Sequence, residues 1–271
     1  MSTPRARLSV LIPAGNEEKN IAACIASARF ADEVVVVLDE ASSDRTEEIA
    51  NEQADRVLKR AYQNSASQKN WAIPQMSHEW VLVVDADERV TPELAREIQD
   101  VLQNDGPGDG YRISRLNHFM GKPIRGCGWQ RDDVLRLFRR DRGRYQERHV
   151  HADVIFEDGK PATIGQLRGK LLHFTYENFE HYLRKYFRYV GWAGEDRLQK
   201  TPHVGWRHLL VRPVWRFFRQ FVLFRGYRDG KIGFLICAMA AYSVLLKYGY
   251  AMSKQLERRA STDSPQPPGK T

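Results

Sequence analysis

Three acidic side chains follow an apolar run in the stretch VLVVDADERV, residues 81–90. Asp85, Asp87 and Glu88 lie within four positions, where like charges repel one another. Acids are common at the start of a helix, and a helix is predicted to begin near Thr91. Alternatively, the acids hold a cation, because carboxylate oxygens are the ligands that Mg²⁺ and Mn²⁺ prefer. The D-x-D spacing would let one acid face a metal while the other reaches hydroxyl groups.

Two further strands are predicted to end in polar clusters. LSVLIPAG (8–15) runs into NEE, and DEVVVVL (32–38) runs into DEASSD. Helical patterns alternate with these strands, which predicts parallel βαβ units in an α/β sheet over residues 8 to about 115. Ligands of such sheets bind beyond the carboxyl ends of the strands, so the three clusters are expected to form one site.

The chemistry of this site suits a nucleotide diphosphate. A divalent cation that bridges diphosphate oxygens stabilises them as a leaving group. Asp39 could accept a hydrogen bond from a base N–H or a ribose hydroxyl. Lys69 could pair with phosphate, although a solvated helix lysine fits the local pattern equally well.

Composition bounds the protein class. The chain has 271 residues, of which 42% are hydrophobic, and this suits one large domain or a domain with an appendage. Its three cysteines are too few and too scattered for a disulfide framework, which favours a reducing compartment. The N-terminal stretch lacks the apolar core of a signal peptide, so a cytoplasmic location is expected.

The positive charge is concentrated near the C-terminus. The formal net charge is +8, and residues 203–259 contribute +9 through eleven Lys and Arg against two acids. This asymmetry predicts an anionic partner, either a membrane surface or a nucleic acid. The nucleic-acid interpretation leaves the acidic clusters unexplained, since they would repel phosphate without a metal.

An apolar stripe occupies the same basic region. It recurs at helical spacing and comprises Trp206, Leu209, Leu210, Pro213, Val214, Phe217, Phe218 and Phe221. Arg212, Arg216 and Arg219 fall on another face, which predicts an interfacial helix on anionic lipid. The uncharged run 232–246 is shorter than the roughly 20 residues of a membrane span, so a shallow, re-entrant or buried helix is expected. Alternatively, both segments pack on the rest of the protein or on a second subunit.

The motifs together resemble a known enzyme family. LIPAGNEE, VVVVLDEASSDRT, SQKNWA and WVLVVDADERVTPEL are similar to successive motifs of the family 2 glycosyltransferases. The resemblance implies inverting transfer and the GT-A fold, a Rossmann-like mixed sheet flanked by helices, here with a C-terminal amphipathic helical extension. GWQRDDVLRLFRR and LLHFTYENFEHYLRKY resemble a bacterial subgroup that adds glucose or a related sugar to the inner core of lipopolysaccharide.

The resemblance also implies roles for single residues. Asp87 would bind the metal, Mg²⁺ or Mn²⁺, and Asp85 the ribose or sugar of the donor. The predicted set that binds the nucleotide sugar is Pro13, Glu17, Asp39, Lys69, Asp85 and Ala86. The sequence departs from the family pattern at Gly15, where an aromatic residue or Lys is usual, and at Ala41, where Gly is usual. VHA at 150–152 replaces the subgroup's frequent Val-His-Glu.

Inversion by direct displacement requires a base on the acceptor hydroxyl. The candidates are Asp132, Asp133, Glu147 and Asp153, and Asp132 is preferred because it precedes a predicted strand and follows Trp129, an aromatic residue suited to stacking on a sugar. Asp133 is the second choice, and a surface acid paired with Arg131 is the structural alternative for Asp132. His151 is a possible accessory contact to metal or phosphate.

The expected function is metal-dependent, inverting transfer of a glucose-type sugar from a nucleotide-diphosphate donor, with a UDP-sugar favoured. The acceptor would be the lipopolysaccharide core or another lipid-linked saccharide at the cytoplasmic membrane face. Alternatives are a polyprenyl-phosphate glycosyltransferase and, in other classes, a basic nucleic-acid-binding protein or a non-catalytic membrane scaffold. The predicted parts are 1–115 for the donor, 116–200 for the acceptor, 201–258 for the membrane and a disordered tail at 259–271.

Overall fold

The structure is a computed structural model that describes residues 5–104, 106, 108–147, 153–156 and 161–262, with side chains to 258. The chain forms two compact units. The first comprises Met1–His118 and Arg131–Thr175, and the second comprises Phe119–Gln130 and Tyr176–Thr271.

The described residues contain eleven strands and seven α-helices. The strands are β1 (Leu8–Ala14), β2 (Glu33–Asp39), β3 (Arg56–Arg60), β4 (Trp80–Val83), β5 (Glu88–Val90), β6 (Gly110–Phe119), β7 (Lys122–Pro123), β8 (Asp133–Arg139), β9 (Gly143–Tyr145), β10 (Val154–Phe156) and β11 (Ile164–Tyr176). The helices are α1 (Ile21–Ala28), α2 (Thr46–Gln53), α3 (Ser65–Ala72), α4 (Pro92–Gln103), α5 (Phe179–Lys200), α6 (Arg212–Phe218) and α7 (Gly230–Thr262).

The main sheet of the first unit is mixed. Its strands follow the order β3-β2-β1-β4-β8-β6-β11-β5. The first four are parallel, whereas β8 runs antiparallel to β4 and to β6, and β5 runs antiparallel to β11. The parallel half is the part that the βαβ pattern predicts, although the partly exposed β3 was missed. The predicted mixed α/β fold flanked by helices is therefore confirmed.

Valine-rich β2 lies in the middle of the parallel half. Val34 and Val36 belong to the core cluster on one face of the sheet, and Val35 and Val37 belong to the cluster on the other face. All four side chains are fully buried, as expected for a parallel strand covered by helices on both sides.

The second unit is helical, and its aromatic stripe is divided between two faces. Phe217 and Phe221 stack on each other and contact Phe234 of α7, and Leu209 packs beside Tyr248. The prediction that these three residues belong to a lipid-facing stripe is wrong, because that side of the segment covers α7. Four residues of the predicted stripe are exposed, Trp206, Leu210, Val214 and Phe218, and so are Val211, Trp215, Val222 and Leu223.

The uncharged run 232–246 forms the first half of α7, a continuous helix of 33 residues. The helix is longer than the uncharged run because it continues through Lys247 to Thr262. The expectation of a shallow, re-entrant or buried helix stays a prediction. Among the described residues, one helical stretch, Gly226–Arg258, is long and apolar enough to cross a membrane, and an 18-residue window within it has a mean hydropathy of 1.6. This finding rests on length and composition alone.

Candidate active site

The carboxyl ends of three neighbouring parallel strands surround a cavity of about 300 Å³. Because β2, β1 and β4 lie side by side in one direction, the residues that end them meet at one edge of the sheet. Six of the predicted site residues line this cavity: Pro13, Glu17, Asp39, Asp85, Ala86 and Asp87.

The loops that follow β1 and β2 are joined by side-chain hydrogen bonds. Asn16 adopts the left-handed conformation (φ 55°), which asparagine tolerates better than most residues. Its Oδ1 accepts a bond of 3.0 Å from the backbone N–H of Ser43. The backbone N–H of Glu17 donates to Thr46 Oγ1 at 2.7 Å. This network fixes one wall of the cavity.

Asp39 is held at the edge of the cavity by backbone donors. Its Oδ1 accepts hydrogen bonds of 3.1 Å from the N–H groups of Ala41 and Tyr62. Gly15 lies against this side chain, since a Cβ at position 15 would be 3.1 Å from the Cβ of Asp39. The glycine that departs from the family pattern therefore gives Asp39 its room.

The protein's own cations neutralise Asp85 and Glu88. Lys69 Nζ lies 2.8 Å from Asp85 Oδ1, and Arg136 Nη2 donates both to Asp85 Oδ2 and, at 2.9 Å, to Glu88 Oε1. Glu88 is fully buried, and its Oε2 also accepts the backbone N–H of Asp85 at 3.0 Å. Burial alone would raise the pKa of Asp85, but Arg136 and Lys69 hold it well below its ordinary value. These two acids therefore coexist without a metal ion.

Asp87 faces a histidine. β11 pairs with β5 so that His173 is opposite Glu88, and the N–H of Phe174 donates to the carbonyl of Asp87 at 2.8 Å. This register places His173 Nε2 at 3.5 Å from Asp87 Oδ2. The separation is long for a hydrogen bond. Two atoms that each bind one ion at roughly 2.1 Å can lie up to about 4.2 Å apart, so one cation can contact both.

Asp87 and His173 fit a cation whose remaining coordination positions are filled by a bound ligand. Among the described residues, no group of three or more His, Cys, Asp or Glu side chains could hold a metal ion. Mg²⁺-type ions are commonly held by one or two carboxylates together with substrate phosphates, so Asp87 and His173 are sufficient if a diphosphate supplies the rest.

Asp132 is anchored close to this set of residues. Arg115 binds it through two hydrogen bonds, of 3.0 and 2.7 Å, and Asn117 Nδ2 donates to its Oδ2 at 2.9 Å. Burial would raise the pKa of Asp132, but Arg115 and Asn117 lower it below its ordinary value. Asp132 is not among the residues that line the cavity. Asp133 is exposed and accepts a bond of 2.5 Å from Ser114 Oγ.

The other predicted residues lie elsewhere. Lys69 does not line the cavity, because its ammonium group is buried between Asp85 and the ring of Tyr145. Trp129 belongs to the second unit, where it packs against Phe119 and Tyr176. Glu147 and Asp153 are exposed, and His151 lies outside the described residues.

Sequence reasoning missed the residues that come from distant strands. Arg115 and Asn117 on β6, Arg136 on β8 and His173 on β11 were assigned no role. Tyr62, Ser65 and Gln68 of the cavity lining were also missed. The alternation of His173 with Thr175 in LLHFTY marks two polar residues on one face of a strand, and this was the available signal.

The family model described as glycosyl transferase family 2 matches residues 9–156, more than half of the chain. The chain belongs to glycosyl transferase family 2. It is therefore a glycosyltransferase, as the motifs predicted, and its mixed sheet and helical C-terminal region are the architecture that the GT-A prediction requires.

Curated relatives of this glycosyltransferase match almost its full length. It is 27% identical over 96% of its length to the lipopolysaccharide core biosynthesis glycosyltransferase LpsC of Rhizobium meliloti, of which the match covers 97%. It is 24% identical to an uncharacterised glycosyltransferase of Rickettsia typhi, over 93% of this chain and 89% of the relative.

Solved structures are more distant. The glycosyltransferase is similar to the mannosyltransferase PcManGT of Pyrobaculum calidifontis in complex with GDP-Man and Mn²⁺, at 17% identity and a TM-score of 0.48, over 98% and 78% of the two chains. It is also similar to residues 1–349 of TarS from S. aureus in complex with UDP-GlcNAc, at 14% identity and a TM-score of 0.46, over 94% and 92%.

Proposed function

We propose that this glycosyltransferase moves a glucose-type sugar, with inversion, from a nucleotide-diphosphate donor to a lipopolysaccharide-core or other lipid-linked acceptor. The observation that carries the proposal is the cavity at the ends of β1, β2 and β4, where Glu17, Asp39, Asp85 and Asp87 converge. The full-length similarity to a lipopolysaccharide core glycosyltransferase supports the acceptor class. A UDP-sugar is the favoured donor.

Asp39 and Asp87 would take opposite ends of the donor. The anchored carboxylate of Asp39 offers a hydrogen-bond acceptor to the base or ribose, and Asp85, held by Lys69 and Arg136, does so for hydroxyl groups of ribose or sugar. Asp87 and His173 would hold a divalent cation. When bound, this ion would stabilise the departing diphosphate as a Lewis acid. An imidazole ligand suits first-row transition metals, so Mn²⁺ is favoured over Mg²⁺.

Asp132 is the proposed base. The carboxylate of Asp132, whose pKa Arg115 and Asn117 lower, is ionised at neutral pH, as an ordinary aspartate is, and it can accept the proton of the acceptor hydroxyl. As this proton moves to Asp132, the hydroxyl oxygen attacks the anomeric carbon from the face opposite the diphosphate. The bond to the diphosphate oxygen breaks, and the configuration at that carbon is inverted.

The enzyme is proposed to act at the cytoplasmic face of the membrane. Trp206 is 77% exposed and Val214 is 69% exposed, on the same segment as the exposed Arg207 and Arg212. Aromatic and aliphatic side chains beside arginines are typical of a helix that lies on anionic lipid. A lipid-linked acceptor would then share a surface with the enzyme.

A donor screen tests the catalytic proposal. Nucleotide sugars are incubated with a lipid-linked acceptor extract and Mn²⁺, and release of the nucleoside diphosphate is measured. Asp87→Ala and EDTA should each abolish release. Asp132→Asn should keep nucleotide binding but lose roughly 10²–10⁴-fold in turnover.

Asp133→Asn is the matched control, since it removes the neighbouring exposed carboxylate. If Asp132→Asn is fully active and Asp133→Asn is inactive, the catalytic base is Asp133 rather than Asp132. Activity that survives both EDTA and Asp87→Ala would remove the metal from the mechanism.

A further inference from the structure

Asn117 connects the two groups to which the proposed function gives roles. It lies on β6 and is only 6% exposed. Its side chain shares a face of the strand with Arg115, two residues earlier. In the sheet, β6 lies between β8, which follows Asp132, and β11, which carries His173. The side chain of Asn117 therefore lies between Asp132 and His173 and contacts both residues.

The hydrogen bonds of Asn117 fix its amide in one orientation. Nδ2 donates to Asp132 Oδ2 at 2.9 Å, and an ionised carboxylate can only accept. Oδ1 therefore faces His173 Nδ1 at 2.6 Å, and it also accepts from Thr175 Oγ1 at 3.3 Å. The reverse orientation would place the amide oxygen of Asn117 against the carboxylate of Asp132, and two groups that only accept cannot form a hydrogen bond.

This orientation in turn determines which ring nitrogen of His173 carries hydrogen. An amide oxygen only accepts, so His173 Nδ1 is the donor in the bond of 2.6 Å. In the neutral ring, Nε2 then has its lone pair, and Nε2 is the atom at 3.5 Å from Asp87 Oδ2. Histidines that bind metals usually donate their other N–H to an oxygen acceptor that fixes the ring.

We propose that Asn117 is a positioning residue that aims His173 Nε2 at a divalent cation shared with Asp87, and that also holds the carboxylate of Asp132. The inference rests on the proposed metal-dependent function. It goes beyond that function by giving one buried amide two separable effects. The acceptor Oδ1 serves cation binding, whereas the donor Nδ2 serves the orientation of the base.

Two substitutions separate these effects. Asn117→Leu has a similar size and removes both the acceptor and the donor. Asn117→Asp keeps an acceptor for His173 Nδ1 but removes the donor to Asp132. Thr175→Val is the matched control, because it removes the two contacts of 3.3 Å that Thr175 Oγ1 makes with Asn117 and with His173 Nδ1 and leaves the bond of 2.6 Å between Asn117 and His173.

The measurement is the affinity for Mn²⁺ in the presence of UDP, from the EPR signal of free Mn²⁺. Asn117→Leu should bind Mn²⁺ about 10–100-fold more weakly than wild type, and His173→Ala at least as weakly. Asn117→Asp and Thr175→Val should stay within a few-fold of wild type. In the donor assay, Asn117→Asp should lower kcat at saturating Mn²⁺ with little change in KM.

The outcomes separate the inference from the proposed function. If Asn117→Leu binds Mn²⁺ as tightly as wild type while His173→Ala binds it more weakly, the role of Asn117 is overturned and the proposed cation site stands. Equal affinities of wild type and His173→Ala would remove His173 from the cation site, and the role of Asn117 with it. Circular dichroism confirms folding. If Asn117→Leu does not fold, Asn117→Ala removes the same acceptor without a bulky apolar group and is judged by the same outcomes.

Discussion

At the scale of single residues, three carboxylates of the site are each paired with a cation from another part of the chain. Lys69 comes from α3, Arg115 from β6 and Arg136 from β8, and they hold Asp85, Glu88 and Asp132. Glu88 is the junction, since both arginines contact its Oε1. The acids that repel one another in the linear sequence therefore become part of a compensated network.

Loss of the Glu88 charge should destabilise the fold. Glu88→Gln keeps the size of the side chain but leaves two guanidinium groups short of a counter-charge in a buried position. Removing one partner of a buried ion pair typically costs 3–5 kcal/mol, so the free energy of unfolding should fall by roughly 3 kcal/mol. Urea unfolding followed by circular dichroism measures it.

Glu93→Gln is the control for Glu88→Gln, because Glu93 forms an exposed pair with Arg96 at 3.6 Å, and such pairs contribute little. Equal stability of Glu88→Gln and wild type would show that the buried network does not depend on this charge.

Gly15 should matter for nucleotide binding rather than for folding. In Gly15→Ala the new Cβ would approach the Cβ of Asp39 to 3.1 Å, so Asp39 must move away by a few tenths of an ångström. The displacement loosens an acceptor that the proposal assigns to the donor, and UDP should bind about three- to tenfold more weakly, which is up to roughly 1.4 kcal/mol. Isothermal titration calorimetry with UDP measures the change, and unchanged affinity would separate Gly15 from the nucleotide site.

At the scale of elements, local sequence patterns predicted which residues the ends of the parallel strands bring together. They did not predict how strands that are distant in the sequence pair with each other. Asp39, Asp85 and Asp87 could be placed together because strand ends of parallel βαβ units meet at one edge of a sheet. His173 could not be placed, because its position opposite Glu88 depends on the antiparallel register of β11 and β5, which are separated by more than seventy residues. Neither strand carries a pattern that specifies its partner.

The same limit applies to Glu33, which opens β2 and joins three segments. Its carboxylate accepts hydrogen bonds from Ser9 Oγ at 2.5 Å, from the N–H and Oγ of Ser77 at 2.9 and 2.7 Å, and from Arg56 at 2.9 Å. Burial would raise the pKa of Glu33, but these bonds lower it from 4.5 to about 2. The sequence pattern did not predict these hydrogen bonds, because their donors lie in three separate segments of the chain.

The lowered pKa of Glu33 predicts acid sensitivity. Because the folded-state pKa lies below the unfolded one, the stabilisation is complete above about pH 5 and is lost as the pH falls toward 2. The change from 4.5 to about 2 corresponds to roughly 3 kcal/mol. Urea unfolding at several pH values should give a steeper loss of stability below pH 5 for wild type than for Glu33→Gln. Parallel profiles would contradict the assignment.

At the scale of the whole molecule, charge and exposed apolar area coincide in one part of the chain. Residues 203–259 carry +9, and the other 214 residues sum to −1. The same part contains an exposed apolar set from Trp206 to Leu223 and the long helix α7. Anionic lipid would satisfy both features, because it attracts the arginines and accepts the apolar side chains.

A single charge on the exposed set should therefore weaken vesicle binding. Val214→Asp removes the burial of a valine side chain in lipid, worth about 1.5–3 kcal/mol, and adds repulsion from anionic headgroups, so partition onto phosphatidylglycerol vesicles should fall at least about tenfold. Co-sedimentation measures it. Ile164→Asp is the control, since Ile164 is also exposed but lies on β11 in the first unit. If Val214→Asp still sediments with vesicles after an alkaline wash, the anchor is α7, whose length and hydropathy suffice to cross the bilayer, and the surface from Trp206 to Leu223 is not what holds the enzyme there.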